Sequence, residues 1–490
     1  MVMKLKQLLA DIEVLSFLGD NQAEITEVVY DSRKAVPGAL FVCIRGQQAD
    51  GNKYIAQAVQ AGVKAIVTEE MPEIPMDHLS VVLVKDSRIA LAGISATWFH
   101  YPARQMTVIG LTGTKGKTTT THMIKKILEE AGKKVGMIGT VGAFVGEEKI
   151  TLKNTTPESY ELHSLFAHML EEGCSHVVME VSSQGLKQGR TKGICFDYGA
   201  FLNISPDHIG EGEHADFAEY LACKKMMFSQ CKQVVANIDE LHWKEIVGEQ
   251  EELITISTST EADFMGEEIQ NIWEPGVLGV SFQLKKKGEG QKLPIVLHMP
   301  GRFNVENALV AIAITSSLGV GIEVIQAALK KVLVKGRTQV LKDVNFSTFL
   351  IDYAHNALSM ESLLQTLKAY QPKRLICLFG GGGNKPKQRR FDMGEIAGKY
   401  ANLSILTMDN PRYETVEQIN QDIIEGMKVY NGNYKVIVDR KEAIHYLMDH
   451  CGKGDIVALI GKGHESYQEI QGVKHYFSEE EVVSEYLMEK

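Results

Sequence analysis

Short apolar runs that stop abruptly at polar clusters recur along this chain, and they predict its architecture. Runs of about four to eight apolar residues are the mark of parallel strands buried on both faces. TVIGL leads into Thr112–Thr120, HVVMEV runs to Glu180 and Ser182, and YGAFLNI leads to Asp207 and His208. Further on, FLID leads to His355, LICLFG to Gly380–Gly383, LSILTM to Asp409–Arg412, and DIVALIG to Lys462–Glu465. Helical patterns separate them, THMIKKILEEAG after the first being the clearest. In open α/β sheets ligands bind beyond the carboxyl ends of the strands, so the polar clusters are where chemistry is expected. Texture divides the chain into three blocks, 1–103, 104–335 and 336–490, the first closing at Tyr101-Pro102-Ala103. The first twenty residues, MVMKLKQLLADIEVLSFLGD, have their apolar positions broken by Asp11 and Glu13. They predict an amphipathic helix and not a signal peptide.

Composition narrows the class. At 490 residues, 44% apolar and 23% charged, the chain can bury several cores, and disordered, collagen-like and coiled-coil classes are excluded. Acidic residues outnumber basic ones, 62 to 52, for a net charge of −10. That balance opposes a sequence-independent grip on nucleic acid, which needs a basic face. The seven cysteines are scattered without a CxxC pair, so neither a zinc ribbon nor a disulfide framework is indicated. No apolar run approaches the roughly 18 residues of a membrane span. A reduced, cytoplasmic protein is expected.

The sharpest chemical signal is the turn after TVIGL. Gly113, Thr114, Lys115, Gly116, Lys117, Thr118 and Thr119 join a strand to a helix. Backbone N–H groups of such a turn cradle phosphate oxygens at the positive end of the helix. Lys117 would place a cation on the outer phosphates, and the Thr118 hydroxyl would ligate Mg²⁺. The usual phosphate loop has four residues between its first glycine and the Gly-Lys pair, and this one has two. The alternative is a glycine-rich turn that only packs a helix on a sheet. Glu180 and His208, behind two further strands, are candidate ligands of a second Mg²⁺; the alternative for each is a solvated loop side chain. Nothing in composition singles out Lys224, whose plain reading is a surface lysine.

The motifs GTKGKTTT, NTTPE, MEVSSQGL, NISPDHIG, YLACKKMMF, GRFNVENALVA, KGRTQ, IDYAHN, DNPRYE and GKGHE occur in this order. Together they resemble the Mur ligase family, and within it the branch that adds the third amino acid of the peptidoglycan peptide. VYDSRKAVPGALFVCIRG resembles the same enzymes' uridine-nucleotide segment. The resemblance implies an α/β, three-domain architecture with a central P-loop-like ATPase domain and a Rossmann-like C-terminal domain. Residues 1–103 would bind the UDP-sugar, 104–335 ATP, and 336–490 the incoming amino acid. It implies ATP and Mg²⁺ as cofactors, with UDP-N-acetylmuramoyl-L-alanyl-D-glutamate and a diamino acid as substrates, and a monomer that engages neither nucleic acid nor membrane. ATP would convert the D-glutamate γ-carboxylate to an acyl phosphate that the incoming amine attacks.

The same resemblance distributes roles. Lys117 falls on the ATP phosphates, Thr118 on one Mg²⁺, and Glu180 and His208 on the other. Lys224 matches the position of a carbamylated lysine, N6-carboxylysine, whose acquired negative charge suits a metal site. Ser32 and Arg33 match nucleotide-sugar contacts, and Thr155, Thr156, Ser182, Gln188 and Arg190 the muramoyl-dipeptide. Asn304, Asn307, Arg337 and Asp352 match the adenosine site, although helix N-capping explains an asparagine equally well. Asp409, Asn410, Pro411 and Arg412 match the signature of meso-diaminopimelate-adding enzymes, with Gly461, Glu465 and Arg390 in the same site. A guanidinium can clasp the distal carboxylate that diaminopimelate has and lysine lacks. The alternative is that Arg412 pairs with Glu414 or another local acid. Lys385, Gln339 and Gln184 depart from the family's usual residues. They keep open L-lysine or another diamino acid as substrate, or a divergent paralogue. A ligase of the folylpolyglutamate synthase kind is the other alternative; it shares the short phosphate loop but not the uridine-nucleotide segment or the DNPR string.

Overall fold

The computed structural model describes residues 2–46, 50–73, 79–207, 209–210, 212–274, 276–341 and 347–489. The chain divides into two compact units, Met1–Ile256 with Val310–Val320, and Ser257–Leu309 with Gly321–Lys490.

Besides the two-stranded pair Met3–Lys4 with Glu24–Ile25, the first unit holds the strands of two sheets. In the smaller, the strand order is Val14–Leu18, Ser80–Val84, Ala65–Thr68, Leu40–Val42, Val28–Val29, parallel except for the first pair. In the larger, Val135–Gly139, His176–Glu180, Thr107–Thr112, Phe196–Phe201, Cys231–Asn237 and Leu253–Ser257 run parallel in that order, with Gly142–Val145 antiparallel beside the first. These are the apolar runs of the sequence. Val108, Ile109 and Leu111 are fully buried, as a strand covered on both faces requires. Helix Ser159–Glu171 turns Leu162, Phe166 and Met169 onto Val177 and Met179. The strand Thr107–Thr112 lies between His176–Glu180 and Phe196–Phe201, where the order of connection reverses, so a cleft is expected at its carboxyl end.

The second unit holds an antiparallel meander, Phe264–Glu274, Val277–Lys286 and Lys292–Leu297. Its six-stranded sheet has the order Gln339–Val340, Thr348–Asp352, Asp455–Ile460, Arg374–Phe379, Leu403–Leu406, Tyr434–Val436, parallel after the first pair. Asp352, Gly380, Thr407 and Gly461 therefore leave the sheet at one edge.

The N-terminal segment departs from the expected amphipathic helix. Only Leu5–Leu8 is helical, and Val14–Leu18 is an edge strand antiparallel to Ser80–Val84. Four residues cannot propagate a helix alone. β-Branched Val14 and aromatic Phe17 suit a strand, and Gly19, at φ +101°, ends it by turning against Ser80.

Helices Lys387–Tyr400 and Val416–Met427 meet backbone to backbone. A Cβ at Gly394 would collide with the Ile423 carbonyl, and one at Gly426 with the Phe391 carbonyl. This approach sets Arg390 Nη1 3.0 Å from Asp422 Oδ2. Gly426→Ala is expected to lower the unfolding free energy in a urea titration. Overpacking costs about 1–3 kcal/mol, which outweighs the ~0.5–1 kcal/mol gained in helix propensity. Unchanged stability would contradict the close packing.

Candidate active site

The glycine turn is clamped from the neighbouring strand. Thr114 N donates to Asn203 O at 2.9 Å, Lys115 N to Asn203 Oδ1 at 2.8 Å, and Asn203 Nδ2 to Lys115 O at 3.1 Å. A Cβ at Gly113 would lie 3.0 Å from Leu202 Cβ, a contact that would force the turn or Leu202 to shift. Gly116, at φ +85°, opens helix Lys117–Glu130, whose first-turn amides lack intrahelical acceptors. Such a cradle fits the phosphates of a nucleotide.

Two lysines converge on this turn. Lys117 Nζ donates to Gly113 O at 2.6 Å and to Thr114 O at 3.1 Å, and Lys224 Nζ donates to the same Gly113 O at 2.9 Å. Lys224 sits on helix Phe217–Lys225, which Asp216 caps through Glu219 N. It is 1% exposed, far from the surface residue its composition suggests, and its ammonium lies 4.5 Å from the Tyr220 ring centroid. Burial first, then the Lys117 charge, pushes the Lys224 amine well below the usual lysine range. A group so placed is driven towards its neutral, nucleophilic form.

Glu180 is buried at the end of its strand. Its Oε1 accepts from Thr118 Oγ1 at 2.9 Å and from Thr140 N at 3.0 Å, and its Oε2 from Thr140 Oγ1 at 3.1 Å. A Cβ at Gly139 would collide with this carboxylate. A hydroxyl and a carboxylate brought together are the hard oxygen donors that Mg²⁺ takes. His208 lies outside the described residues, and among those described no three His, Cys, Asp or Glu side chains cluster for a metal.

Next to Glu180, Thr156 Oγ1 donates to Glu180 O at 3.0 Å and accepts from Ser182 N at 2.9 Å. Thr155 Oγ1 lies 3.1 Å from Thr140 Oγ1. Arg190 Nη1 donates to Thr156 O at 2.8 Å, and its Nη2 reaches Gln188 Oε1 at 2.6 Å and Glu158 Oε1 at 3.0 Å. Ser182 Oγ caps helix Ser183–Lys187 through Gly185 N. The structure thus joins Thr155, Thr156, Ser182, Gln188 and Arg190 to the Glu180 strand end. Ser32 stands apart, with its Oγ donating to Gln57 Oε1 at 3.1 Å, and Arg33 is exposed and paired with Asp31.

In the second unit, the fully buried Lys462 organises the strand ends. Its Nζ donates to Asn410 Oδ1 at 2.6 Å and pairs with Asp409 Oδ1 at 3.2 Å and Glu465 Oε2 at 3.3 Å. Asn410 Nδ2 also donates to Glu465 Oε2 at 3.0 Å. Gly461, at φ +112°, leaves room for Asp409, whose Oδ2 a Cβ would approach to 2.8 Å. Pro411 packs its carbonyl on Gly383. Arg412 adopts φ +52° and pairs its backbone with Glu469 and Gln471. Its Nε reaches Glu469 Oε2 at 3.2 Å and its Nη1 reaches Gly383 O at 2.8 Å, while Nη2 has no partner among the described residues. Glu414 belongs to another arginine. Arg390 is buried and pairs with Glu414 Oε1 at 2.6 Å and Asp422 Oδ2 at 3.0 Å.

Asp352 accepts from Thr338 N and Ala354 N, each at 2.7 Å, and burial raises its pKa against the pull of Arg337. The Arg337 guanidinium lies 5.1 Å from the Tyr353 ring centroid. Asn304 and Asn307 lie inside helix Arg302–Ser317. Asn304 Nδ2 donates to Pro300 O at 2.8 Å and Asn307 Nδ2 to Asn304 Oδ1 at 3.1 Å, so neither side chain is an N-cap acceptor.

Models of the Mur ligase middle domain, the Mur ligase glutamate ligase domain and the Mur ligase family catalytic domain match residues 111–315, 336–463 and 24–99. A protein of Caldanaerobacter subterraneus subsp. tengcongensis is 40% identical over 474 residues, 96% of each chain. The chain belongs to the Mur ligase family. That relative is named UDP-N-acetylmuramoyl-L-alanyl-D-glutamate--2,6-diaminopimelate ligase. A Clostridium acetobutylicum protein named as number 1 of the same ligase is 37% identical, covering 99% of this chain and 100% of its own. A solved structure titled for the same ligase superposes with a TM-score of 0.73 at 26% identity, covering 100% of this chain and 99% of that one. The fold is thus the three-domain α/β Mur ligase fold. No helix among the described residues is long and apolar enough to cross a membrane.

Thr140 and Asn203 join the site through contacts 40 and 88 residues away in the chain, which no local pattern signals. Glu469 likewise joins through Arg412, whereas Lys462 belongs to the strand-end cluster already visible in GKGHE. Lys462→Met is expected to cost about 3–5 kcal/mol in urea unfolding, because it strands buried carboxylates. Arg412→Ala, at a partly exposed pair, is expected to cost no more than ~1 kcal/mol. Equal costs would contradict the division of labour between the two cations.

Proposed function

We propose that this Mur ligase joins 2,6-diaminopimelate, in its meso form, to UDP-N-acetylmuramoyl-L-alanyl-D-glutamate with cleavage of ATP, acting as a monomer in peptidoglycan synthesis. The observation that carries the reading is the convergence of Lys117 and Lys224 on Gly113 O beside the Thr118–Glu180 pair. In this reading residues 1–103 hold the UDP-sugar, 104–335 ATP and 336–490 the amino acid. Bound ATP with Mg²⁺ supplies the phosphoryl group that activates the D-glutamate γ-carboxylate. Lys117 and the first-turn amides offset the charge of its phosphates, which would otherwise repel the acceptor carboxylate. Thr118 would hold one Mg²⁺ through its hydroxyl, and Glu180, with His208 as a further ligand, the other.

Lys224 is assigned as an N6-carboxylysine. A buried, neutral amine is the form that adds CO₂, and the product exchanges a cation crowded by Lys117 for an anion suited to the metal. Thr155, Thr156, Ser182, Gln188 and Arg190 orient the dipeptide, with Ser32 and Arg33 on the nucleotide-sugar. Asn304, Asn307, Arg337 and Asp352 receive adenosine. Asp409, Asn410, Pro411, Arg412, Gly461 and Glu465 receive the diamino acid, the Nη2 edge of Arg412 taking its distal carboxylate. Arg390 holds the Gly380–Gly383 loop by donating to Gly382 O at 3.2 Å.

Amino-acid-dependent ADP release with the UDP-muramoyl-dipeptide tests the reading. Turnover is expected with meso-diaminopimelate and not with lysine or ornithine. Arg412→Ala is expected to lower kcat/KM for diaminopimelate about 10–100-fold, the worth of a charge-assisted hydrogen bond of about 1.5–3 kcal/mol. Equal use of lysine by the parent enzyme would overturn the substrate assignment. Lys224→Ala is expected to abolish most turnover, and a small added carboxylate to restore part of it; full activity in the variant would remove the carboxylysine.

A further inference from the structure

In the second unit a further cation, Arg440, is buried at the strand ends that Lys462 organises. It opens helix Arg440–His450, which Asp439 caps through Glu442 N. A cation at that end opposes the helix dipole, and its burial carries a desolvation penalty, so helix stability does not account for it. Its guanidinium is spent on contacts instead. Nε and Nη2 donate to Glu479 Oε1 at 2.9 and 2.8 Å, Nη2 also to Ile460 O at 2.8 Å, and Nη1 to Met408 O at 3.2 Å. Glu479 is buried too and opens helix Glu479–Glu489, where its negative charge suits the dipole.

Met408 and Ile460 immediately precede Asp409 and Gly461. Their strands, Leu403–Leu406 and Asp455–Ile460, are not neighbours, because Arg374–Phe379 lies between them and pairs with both. No ladder bond therefore sets the distance between the two ends, whose strands lie two spacings of ~4.8 Å apart. Arg440 spans that gap with one planar group that donates to both carbonyls, whereas Lys462 holds side chains. Burial raises the Glu479 pKa against the pull of Arg440, and the charge of Asp409 adds to the rise while that of Lys462 opposes it. The Arg440–Glu479 pair is thus electrostatically continuous with the Asp409–Lys462 cluster. We propose that Arg440, anchored by Glu479 of the last helix, is a positioning residue for the amino-acid site, its clasp on the Met408 and Ile460 carbonyls fixing residues 409–412 against residues 461–465. The proposal rests on the reading that these two segments receive the diamino acid.

Replacing the pair by apolar chains, Arg440→Met with Glu479→Leu, keeps the packing and removes the clasp, an exchange that is often neutral in stability. The double variant is expected to raise KM for meso-diaminopimelate about tenfold, since small misplacements of positioning groups are costly. AMP-PNP affinity and KM for the UDP-muramoyl-dipeptide are expected to stay within about twofold. A merely structural role would lower kcat through lost folded enzyme and leave KM alone. Hydrogen exchange of the full chain without substrate reads the clasp directly. Peptides covering 408–412 and 461–465 are expected to exchange about tenfold faster, and those covering 374–379 at the parent rate. This readout holds whatever amino acid the parent uses, so a parent inactive with diaminopimelate would count against the substrate and not against the clasp. Arg440→Lys keeps the charge but cannot reach both carbonyls and Glu479 at once. It is expected to show the same changes, and it decides the matter should the double variant fail to fold. Parent-like exchange in both segments, or an unchanged KM, in a folded variant would overturn the proposal.

Discussion

Two lysine amines share one carbonyl oxygen in this protein, and much of the first unit is arranged to make that tolerable. Lys117 and Lys224 both donate to Gly113 O, in a turn pinned by Asn203 and packed tightly on Leu202. Like charges in a buried site repel strongly, so the arrangement is stable only if one loses its proton or anions arrive. Burial decides which, because Lys224 is enclosed on all sides and Lys117 opens the helix. The turn is therefore primed for anionic ligands, and Lys224 is driven towards its neutral amine. Glu180, held by Thr118 and Thr140, supplies the counterweight on the adjacent strand.

The second unit solves a different problem. Polar groups at its strand ends must be held in place, and Lys462 does so by holding Asp409, Asn410 and Glu465 at once. Arg412 is then presented from a left-handed backbone position, with Glu469 and Gly383 gripping one side of its guanidinium. A residue held in that conformation is strained, and such strain persists where surrounding contacts over-determine it.

Much of this was legible along the chain. Buried parallel strands have a one-dimensional signature, and TVIGL, HVVMEV, FLID and DIVALIG all became the strands whose ends carry the chemistry. The glycine turn was legible because strand, turn and helix are contiguous. Lys224 was not, since nothing in YLACKKMMF tells which lysine is buried; only family likeness drew attention to it. The ion pairs of Arg390 with Glu414 and Asp422 were not legible either, because they join helices whose approach no local pattern signals. The N-terminal twenty residues misled because helical spacing of Leu5 and Leu8 is local, whereas the pairing of Val14–Leu18 with Ser80–Val84 is not.

The central claim is that positive charge gathered at the Gly113 turn holds the phosphates of the nucleotide. Calorimetric titration of the full chain with AMP-PNP and Mg²⁺, parent against Lys117→Met, tests it without turnover. The account expects affinity to fall about 10–100-fold while AMP binding stays unchanged, since a charge-assisted contact to the outer phosphates is worth about 1.5–3 kcal/mol. Equal AMP-PNP affinity in parent and variant would contradict it.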